Sequence, residues 1–326
     1  MPRIAVVLNP NSRKNRGRDR VARLREILGD RGEVHVTPGT DALPPLLERL
    51  LSDRELECIV SDGGDGALHW ALNAALPIVE RARGALPVVL PTNGGTIDFV
   101  ARKAGVHGRA DALVSRLVGA LARGPLQTVR VDSIELRGVH VDGTPFRRIG
   151  FALAAGGIGQ RFFDQYYAGD DPGAATIVGV VARTVASLAA SPLGRGEYAR
   201  AMFRPQRARV WIDGEELAAT EHGAIHAGAF EVNLGGVFRV FPLAREPGVL
   251  HFQAGAITPL QIVSNLPQLV RGGAIRAPEM RDVQGREMVI EALGDEPLRP
   301  VFDGEIYEGL RRLEVRRGPE VRIAKV

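Results

Sequence analysis

The sequence predicts an α/β domain on a parallel sheet, residues 1–127, followed by an antiparallel β-sandwich, residues 128–326. Three observations predict it. At 326 residues the chain is too long for one ordinary core and fits two domains. Its first part alternates short apolar runs with amphipathic segments, the pattern of parallel strands covered by helices on both faces. Beyond Gln127 the runs turn β-rich and alternating, with turn residues between them.

The elements follow in order. Residues 3–8 form a β-branched strand, and 18–28 a helix with Val21, Leu24, Ile27 and Leu28 on one face. A strand over 34–37 leads to a helix striped by Leu43, Leu46, Leu47, Leu50 and Leu51. A third strand ends at Ser61, and a helix runs over 66–78. A fourth strand covers 87–90, with helices at 98–104 and 110–122 behind it. In the second part 129–136, 147–154, 207–212 and 248–254 read as strands, with helices at 174–190 and 259–270. Asp142-Gly143 and Asp213-Gly214 mark hairpins. No internal repeat is visible.

Hydrophobic residues make up 45% and charged residues 25%, the balance of a soluble globular protein. The one cysteine, Cys58, sits in an apolar run and reads as core, which suits a reducing cytoplasm. The chain starts Met-Pro-Arg-Ile and goes straight into a strand, so no leader is expected, and residues 174–190, interrupted by Arg183, are not expected to span a membrane. Any bilayer contact is expected to be peripheral. The net charge of +4 is spread over scattered arginines, with lysine only at positions 14, 103 and 325. Without zinc-ligand spacing or an aromatic-plus-basic stripe, nucleic-acid binding is not expected.

Three loops follow strands of the first domain, and ligands of open α/β sheets bind at the carboxyl ends of strands. They are residues 8–14, Asp62-Gly63-Gly64-Asp65-Gly66-Ala67 and Pro91-Thr92-Asn93-Gly94-Gly95-Thr96; the last two open helices. Glycine lets backbone approach a ligand closely, and the N–H groups of a helix start hold phosphate oxygens. Asp65 in such a loop asks for a cation, which points to Mg²⁺. The pattern lacks the Gly-Lys-Ser/Thr of a Walker loop and the Gly-x-Gly-x-x-Gly of a dinucleotide site. Near the C-terminus, Asp303 and Glu305 flank Gly304 and could supply a general base for a hydroxyl. Asp-Gly is equally a stock hairpin turn, and Asp213-Gly214-Glu215 is a second copy.

Taken together, these segments resemble the diacylglycerol-kinase catalytic family, which includes bacterial lipid kinases, sphingosine kinases and ceramide kinases. Asn9-Pro10-Asn11-Ser12 is similar to its opening Asn-Pro-x-Ser/Ala-Gly, and Gly63-Gly64-Asp65-Gly66-Ala67 to its Gly-Gly-Asp-Gly-Thr, with Asn73 where a later asparagine is common. Residues 91–98 resemble its Pro-x-Gly-Thr-x-Asn segment, and Thr37 a threonine ending the second strand. Arg130-Val131-Asp132, Asn233-Leu234-Gly235-Gly236, Pro242-Leu243-Ala244 and Asp303-Gly304-Glu305 extend the likeness through the second half.

The resemblance implies a Rossmann-like, NAD-kinase-like first domain and an ATP- and Mg²⁺-dependent kinase that phosphorylates a lipid hydroxyl, diacylglycerol-like or sphingoid. ATP would lie between the domains, held by Asn9, Ser12, Thr37, residues 63–67 (Gly63, Gly64, Asp65, Gly66, Ala67) and Gly94, Gly95 and Thr96. Asp65 would act through the metal and Asp132 would support it, while Asp303 and Glu305 would orient or deprotonate the acceptor. The Phe162-Phe163 region and the helix at 174–190 are candidates for an acyl cleft, with core packing the other reading of that helix. The partners implied are a lipid at the membrane surface and, in a homodimer, a second copy; the location implied is cytoplasmic or at the inner membrane face.

Departures from the family pattern motivate a second expectation, a member that binds lipid or nucleotide without catalysis. Ala67 lacks the hallmark hydroxyl, and Trp70 stands where many relatives have glutamate. His69 is similar to the sphingosine-kinase loop but reads equally as a surface group. Asp98 takes the place of the family's asparagine; at roughly 4 Å a like charge costs on the order of 4 kcal/mol in a semi-polar site, so it must turn away, meet a cation or weaken ATP binding. Pro247 stands where some bacterial members carry a metal-ligating aspartate, so a structural Mg²⁺ site there is expected to be lost, unless Glu246 substitutes. A soluble small-molecule kinase related to NAD kinases is a third expectation.

Overall fold

The computed structural model describes residues 3–16, 19–169, 172–234 and 236–326. Arg18, expected in the first helix, and Gly235 of the Asn-Leu-Gly-Gly stretch lie outside them. The chain divides into two compact units, residues Met1–Val131 with Pro319–Val326, and Asp132–Gly318. The expected division at 127/128 had placed the last eight residues with the second domain.

In the first unit the order is β1 (Arg3–Leu8), α1 (Val21–Leu28), β2 (Gly32–Val36), α2 (Leu43–Ser52), β3 (Leu56–Asp62), α3 (Asp65–Arg81), β4 (Val89–Pro91), α4 (Phe99–Lys103), α5 (Ala110–Arg123) and β5 (Thr128–Val131). Among the described residues the sheet runs β2-β1-β3-β4, then the C-terminal strand Val321–Ala324, then β5. Pairing is parallel from β2 to the C-terminal strand and antiparallel at β5. Ile4 to Leu8 are all buried, as a central strand covered on both faces requires. The helices bury single stripes: Leu43, Leu47 and Leu50 on α2, and Leu113, Val114, Leu117 and Leu121 on α5. This topology puts the turns after β1, β3 and β4 at one sheet edge.

In the second unit β6 (Ile134–His140), β7 (Pro145–Gly150) and β8 (Ala152–Gly157) precede α6 (Ile158–Tyr166), α7 (Ala174–Ala189) and α8 (Glu197–Met202). Then come β9 (Gln206–Ile212), β10 (Glu215–Glu216), β11 (Glu221–His222), β12 (Ala224–Gly228), β13 (Val232–Leu234), β14 (Phe238–Val240) and β15 (Leu250–Gly255). The rest is α9 (Pro259–Arg271), β16 (Met280–Gly285), β17 (Glu287–Ala292), β18 (Val301–Phe302), β19 (Glu305–Ile306) and β20 (Leu310–Arg317). Among the described residues two large antiparallel sheets result, β10-β9-β17-β20-β6-β7 and β16-β15-β12-β8-β18-β19, with β13-β14 as a separate two-stranded sheet.

Two runs expected as single strands are each two. Residues 129–136 split into β5 and β6, so the border between the units falls inside the run. Residues 147–154 split at Phe151, where the chain leaves one sheet for the other.

That crossing has a counterpart in the same unit. β7 passes to β8 through Gly150-Phe151, and β16 passes to β17 through Gly285-Arg286. At each crossing an Asp-Gly turn closes on the chain. Asp303 Oδ1 accepts from the N–H groups of Phe151 and Ala152, both at 2.9 Å, and its own N–H donates to Ala152 O at 2.9 Å. Asp213 Oδ1 accepts from Arg286 at 2.8 Å and Glu287 at 2.9 Å, and its N–H donates to Glu287 O at 3.0 Å. Both aspartates are left-handed, φ 53° and 50°, and each is followed by a positive-φ glycine, as a two-residue type I′ hairpin demands. Gly150 has no alternative, since an ideal Cβ there would stand 2.2 Å from Asp303 Oδ2.

Because each carboxylate satisfies two strand-end amides, Asp213→Ala and Asp303→Ala should each cost about 2 kcal/mol, read by urea unfolding. A loss at Asp303 alone would contradict the equivalence of the turns.

Acid should weaken this unit as well. Burial pushes the His226 ring down to about 4, although a hydrogen bond with Gln253 and the charge of Asp282 pull the other way; burial also lowers His222. With an unfolded value of about 6.5, the unfolded chain binds a proton that the folded chain refuses. Stability is therefore whole above about pH 6.5, falls as pH drops toward about 4 and levels below. Urea midpoints at pH 7, 5.5 and 4.5 should fall less in His226→Asn than in the wild type.

Candidate functional site

The floor of the first unit's edge is a buried ion pair. Asp62, ending β3, is fully buried; Arg20 lies 3.1 Å from it and also reaches Asp111 at 2.9 Å. Thr92 Oγ1 donates to Asp62 Oδ1 at 2.8 Å, and Asn15 Nδ2 donates to the Asp62 and Asn9 carbonyls. The starts of all three loops are thereby tied to one residue, Asp62, through its carboxylate and its main-chain carbonyl.

Above this floor the glycine loops touch each other. The Gly94 N–H donates to Gly63 O at 3.0 Å, and an ideal Cβ on Gly94 would stand 2.8 Å from the Gly63 carbonyl. A Cβ on Gly64 or on Gly95 would meet the other's Cα at 2.7 Å. Three of these glycines are thus required for backbone-to-backbone approach of two loops. Gly63 also packs against Ala67 and Ser12, whose atoms would lie 2.5 and 2.8 Å from its Cβ.

Asp98 resolves its own charge problem by meeting a cation. Left-handed at φ 52° and only 3% exposed, it accepts from the Gly95 N–H at 2.8 Å and from Lys14 Nζ at 3.0 Å. Lys14 Nζ also donates to Asn93 O, and its N–H to Gly94 O at 3.1 Å. Asp65 accepts from the N–H groups of Phe99 and Val100 at 3.1 and 3.2 Å. It thus caps α4, a service that Asp98, the N-cap residue, does not perform. Thr37, at the end of β2, donates its N–H and Oγ1 to Leu8 O. Asn9 Oδ1 accepts from the Asn11 N–H at 2.9 Å. The structure brings Asn9, Ser12, Thr37, residues 63–67 and residues 94–96 to one sheet edge. Lys14 belongs with them, and sequence reasoning passed it over; its rarity in an arginine-rich chain was the available signal. His69, weighed as a surface group, is instead fully buried beside Trp70, because α3 turns that face to the core.

In the second unit the Asp-Gly-Glu turn is flanked by aromatic rings. Tyr167, 41% exposed, donates its hydroxyl to Gly304 O at 2.9 Å and stacks on Phe163 at 6.0 Å. The Arg148 guanidinium stands 5.5 Å from the ring centroids of both Phe146 and Tyr307. Burial pushes the Tyr307 phenol up to about 12; Arg148 lowers it, and the charges of Glu305 and Asp303 raise it.

The donors of the first unit suit an anion: an ammonium, two hydroxyls (Ser12, Thr96) and the start of a 17-residue helix, α3. A resident magnesium fits less well. Both Asp65 oxygens accept from α4 amides. Asp132 Oδ1 accepts from Arg317 Nε and Nη2 at 3.0 and 2.7 Å, and Oδ2 from the Gly248 N–H at 2.7 Å. Among the described residues no three His, Cys, Asp or Glu side chains group to hold a metal. The Asp132 carboxylate has a guanidinium and an amide for partners, and among the described residues no ligand set for magnesium forms around it. No helix among the described residues is long and apolar enough to cross a membrane.

The chain resembles the crystal structure of a candidate diacylglycerol kinase from Bacillus anthracis str. Sterne, at 14% identity and TM-score 0.69, covering 100% of this chain and 97% of that one. It also resembles a diacylglycerol kinase of the same organism, at 12% identity and TM-score 0.61 with the same coverage. Yeast NADH kinase complexed with NADH is similar at 11% identity and TM-score 0.54, covering 99% of this chain and 83% of that one. At such identities the likeness is one of fold. No curated protein matches the sequence at a significant level. Residues 3–131, which carry all three loops, match the diacylglycerol kinase catalytic domain.

Proposed function

We propose that the chain is a kinase that transfers the terminal phosphoryl group of ATP to the hydroxyl of a lipid, diacylglycerol-like or sphingoid. The observation that carries this reading is that the segment matching the diacylglycerol kinase catalytic domain encloses the three bracketed loops and their anion-binding donors. Phosphoryl transfer asks a protein mainly for positioning and charge neutralisation, and those donors supply both for a triphosphate. In the second unit Glu305 takes the role of base for the acceptor hydroxyl. Asp303, whose Oδ1 is held by two amides, keeps the turn in place. The part-exposed rings of Phe162, Phe163 and Tyr167 on and after α6, together with α7, whose Val178 is exposed, offer the apolar surface for acyl chains, at a peripheral contact with the membrane.

A second reading, binding without transfer, draws on the equivalence of the two Asp-Gly turns, since Asp213 makes the same bonds away from any proposed chemistry. A third, phosphorylation of a soluble dinucleotide, draws on the likeness to the yeast NADH kinase.

Purified protein given radiolabelled Mg-ATP and a panel of diacylglycerols, sphingoid bases and NADH should label a lipid. Glu305→Gln should lower kcat by about a hundredfold or more, while Tyr167→Ala raises KM for the lipid and leaves KM for ATP. Labelled NADH alone supports the third reading. A melting temperature raised by Mg-ATP with no labelled product supports the second.

A further inference from the structure

Lys14 is built into the loop cluster twice, through its backbone and through its ammonium. An ammonium has three donors. One goes to Asp98 Oδ2 at 3.0 Å and one to Asn93 O. The third is uncommitted among the described residues, and the side chain is 53% exposed. Asp98 is the opposite case. It is nearly buried, and its two oxygens are spent on Lys14 and the Gly95 N–H. The pair therefore presents one accessible cationic face at the sheet edge, beside the loops after β3 and β4, with its counter-charge fixed behind it.

We propose that Lys14 is a phosphate-contacting residue of this site and that Asp98 sets its affinity by competing for the same ammonium. The inference rests on the nucleotide-binding reading above and adds to it the residue and the restraint on it. A phosphate oxygen arriving at Lys14 shares the ammonium with Asp98, so binding is weaker than the lysine alone would give. Neutralising Asp98 while keeping an acceptor for Gly95 should release the lysine. Asparagine does this: its carbonyl oxygen still accepts from the Gly95 N–H, and its amide cannot hold a cation.

Titration calorimetry with Mg-ATP, and separately with inorganic triphosphate, tests the pair. Lys14→Met is expected to weaken both ligands about tenfold, and Lys14→Arg to stay within about threefold of wild type, as a retained cation should. Asp98→Asn is expected to bind both at least about threefold tighter, although its ligand-free melting temperature falls with the lost ion pair. A merely structural Asp98 would give weaker binding and lower stability together. The proposal is overturned if Lys14→Met, folded by its melting curve, binds as wild type does, or if Asp98→Asn binds more weakly. Wild type that binds neither probe overturns the nucleotide reading and this proposal together. Wild type that binds both, with no response to Lys14→Met, overturns only the role of Lys14.

Discussion

The first unit's site depends on one buried carboxylate at a turn no ordinary side chain would favour. Asp98 sits in the left-handed region, where aspartate is among the few tolerated residues, and from there holds the loop after β1 through Lys14 and the loop after β4 through Gly95. The loop after β3 joins by direct backbone contact, which only glycine at 64, 94 and 95 permits. Beneath them the Asp62–Arg20 pair ties the strand ends together. Removing one partner of such a pair leaves a buried charge uncompensated, which costs far more than the pair contributes. The loops are thus joined to one another by protein–protein bonds.

Much of this was legible in the sequence and some was not, for identifiable reasons. The strand at 3–8 and the glycine loops were readable because an apolar β-branched run and a Gly-Gly-Asp-Gly turn are local signals. What the glycines approach is not local: they suggest a ligand equally with another loop, and here they meet each other. That Asp65, read in the sequence as a metal-binding acid, also caps a helix 34 positions later was not legible, because no local signal says that this helix lacks a cap of its own. The return of Val321–Ala324 to pair in parallel with β4 was likewise invisible, since a four-residue strand carries no record of its partner. His69 was misjudged because a lone histidine at a helix start does not reveal which face the helix buries.

In the second unit, the repeated Asp-Gly-Glu tripeptide was visible as a repetition, but its meaning needed the structure. Both copies fasten a strand where it changes sheets, so the carboxylate at 303 has a structural duty independent of any chemistry proposed for the turn. Asp132 tells a related story. Where the family resemblance implied support for a metal, the carboxylate is satisfied by Arg317 and the Gly248 amide, and Pro247 offers no ligand beside them.

The most direct test of the account is hydrogen exchange at single amides in Asp98→Ala. If that carboxylate joins the loops into one body, the amides of Lys14, Gly94 and Gly95 lose protection together and by similar factors, because their bonds open as a unit. Loss confined to Gly95, with Lys14 and Gly94 exchanging as in the wild type, would show that the loops are held independently and would contradict the account.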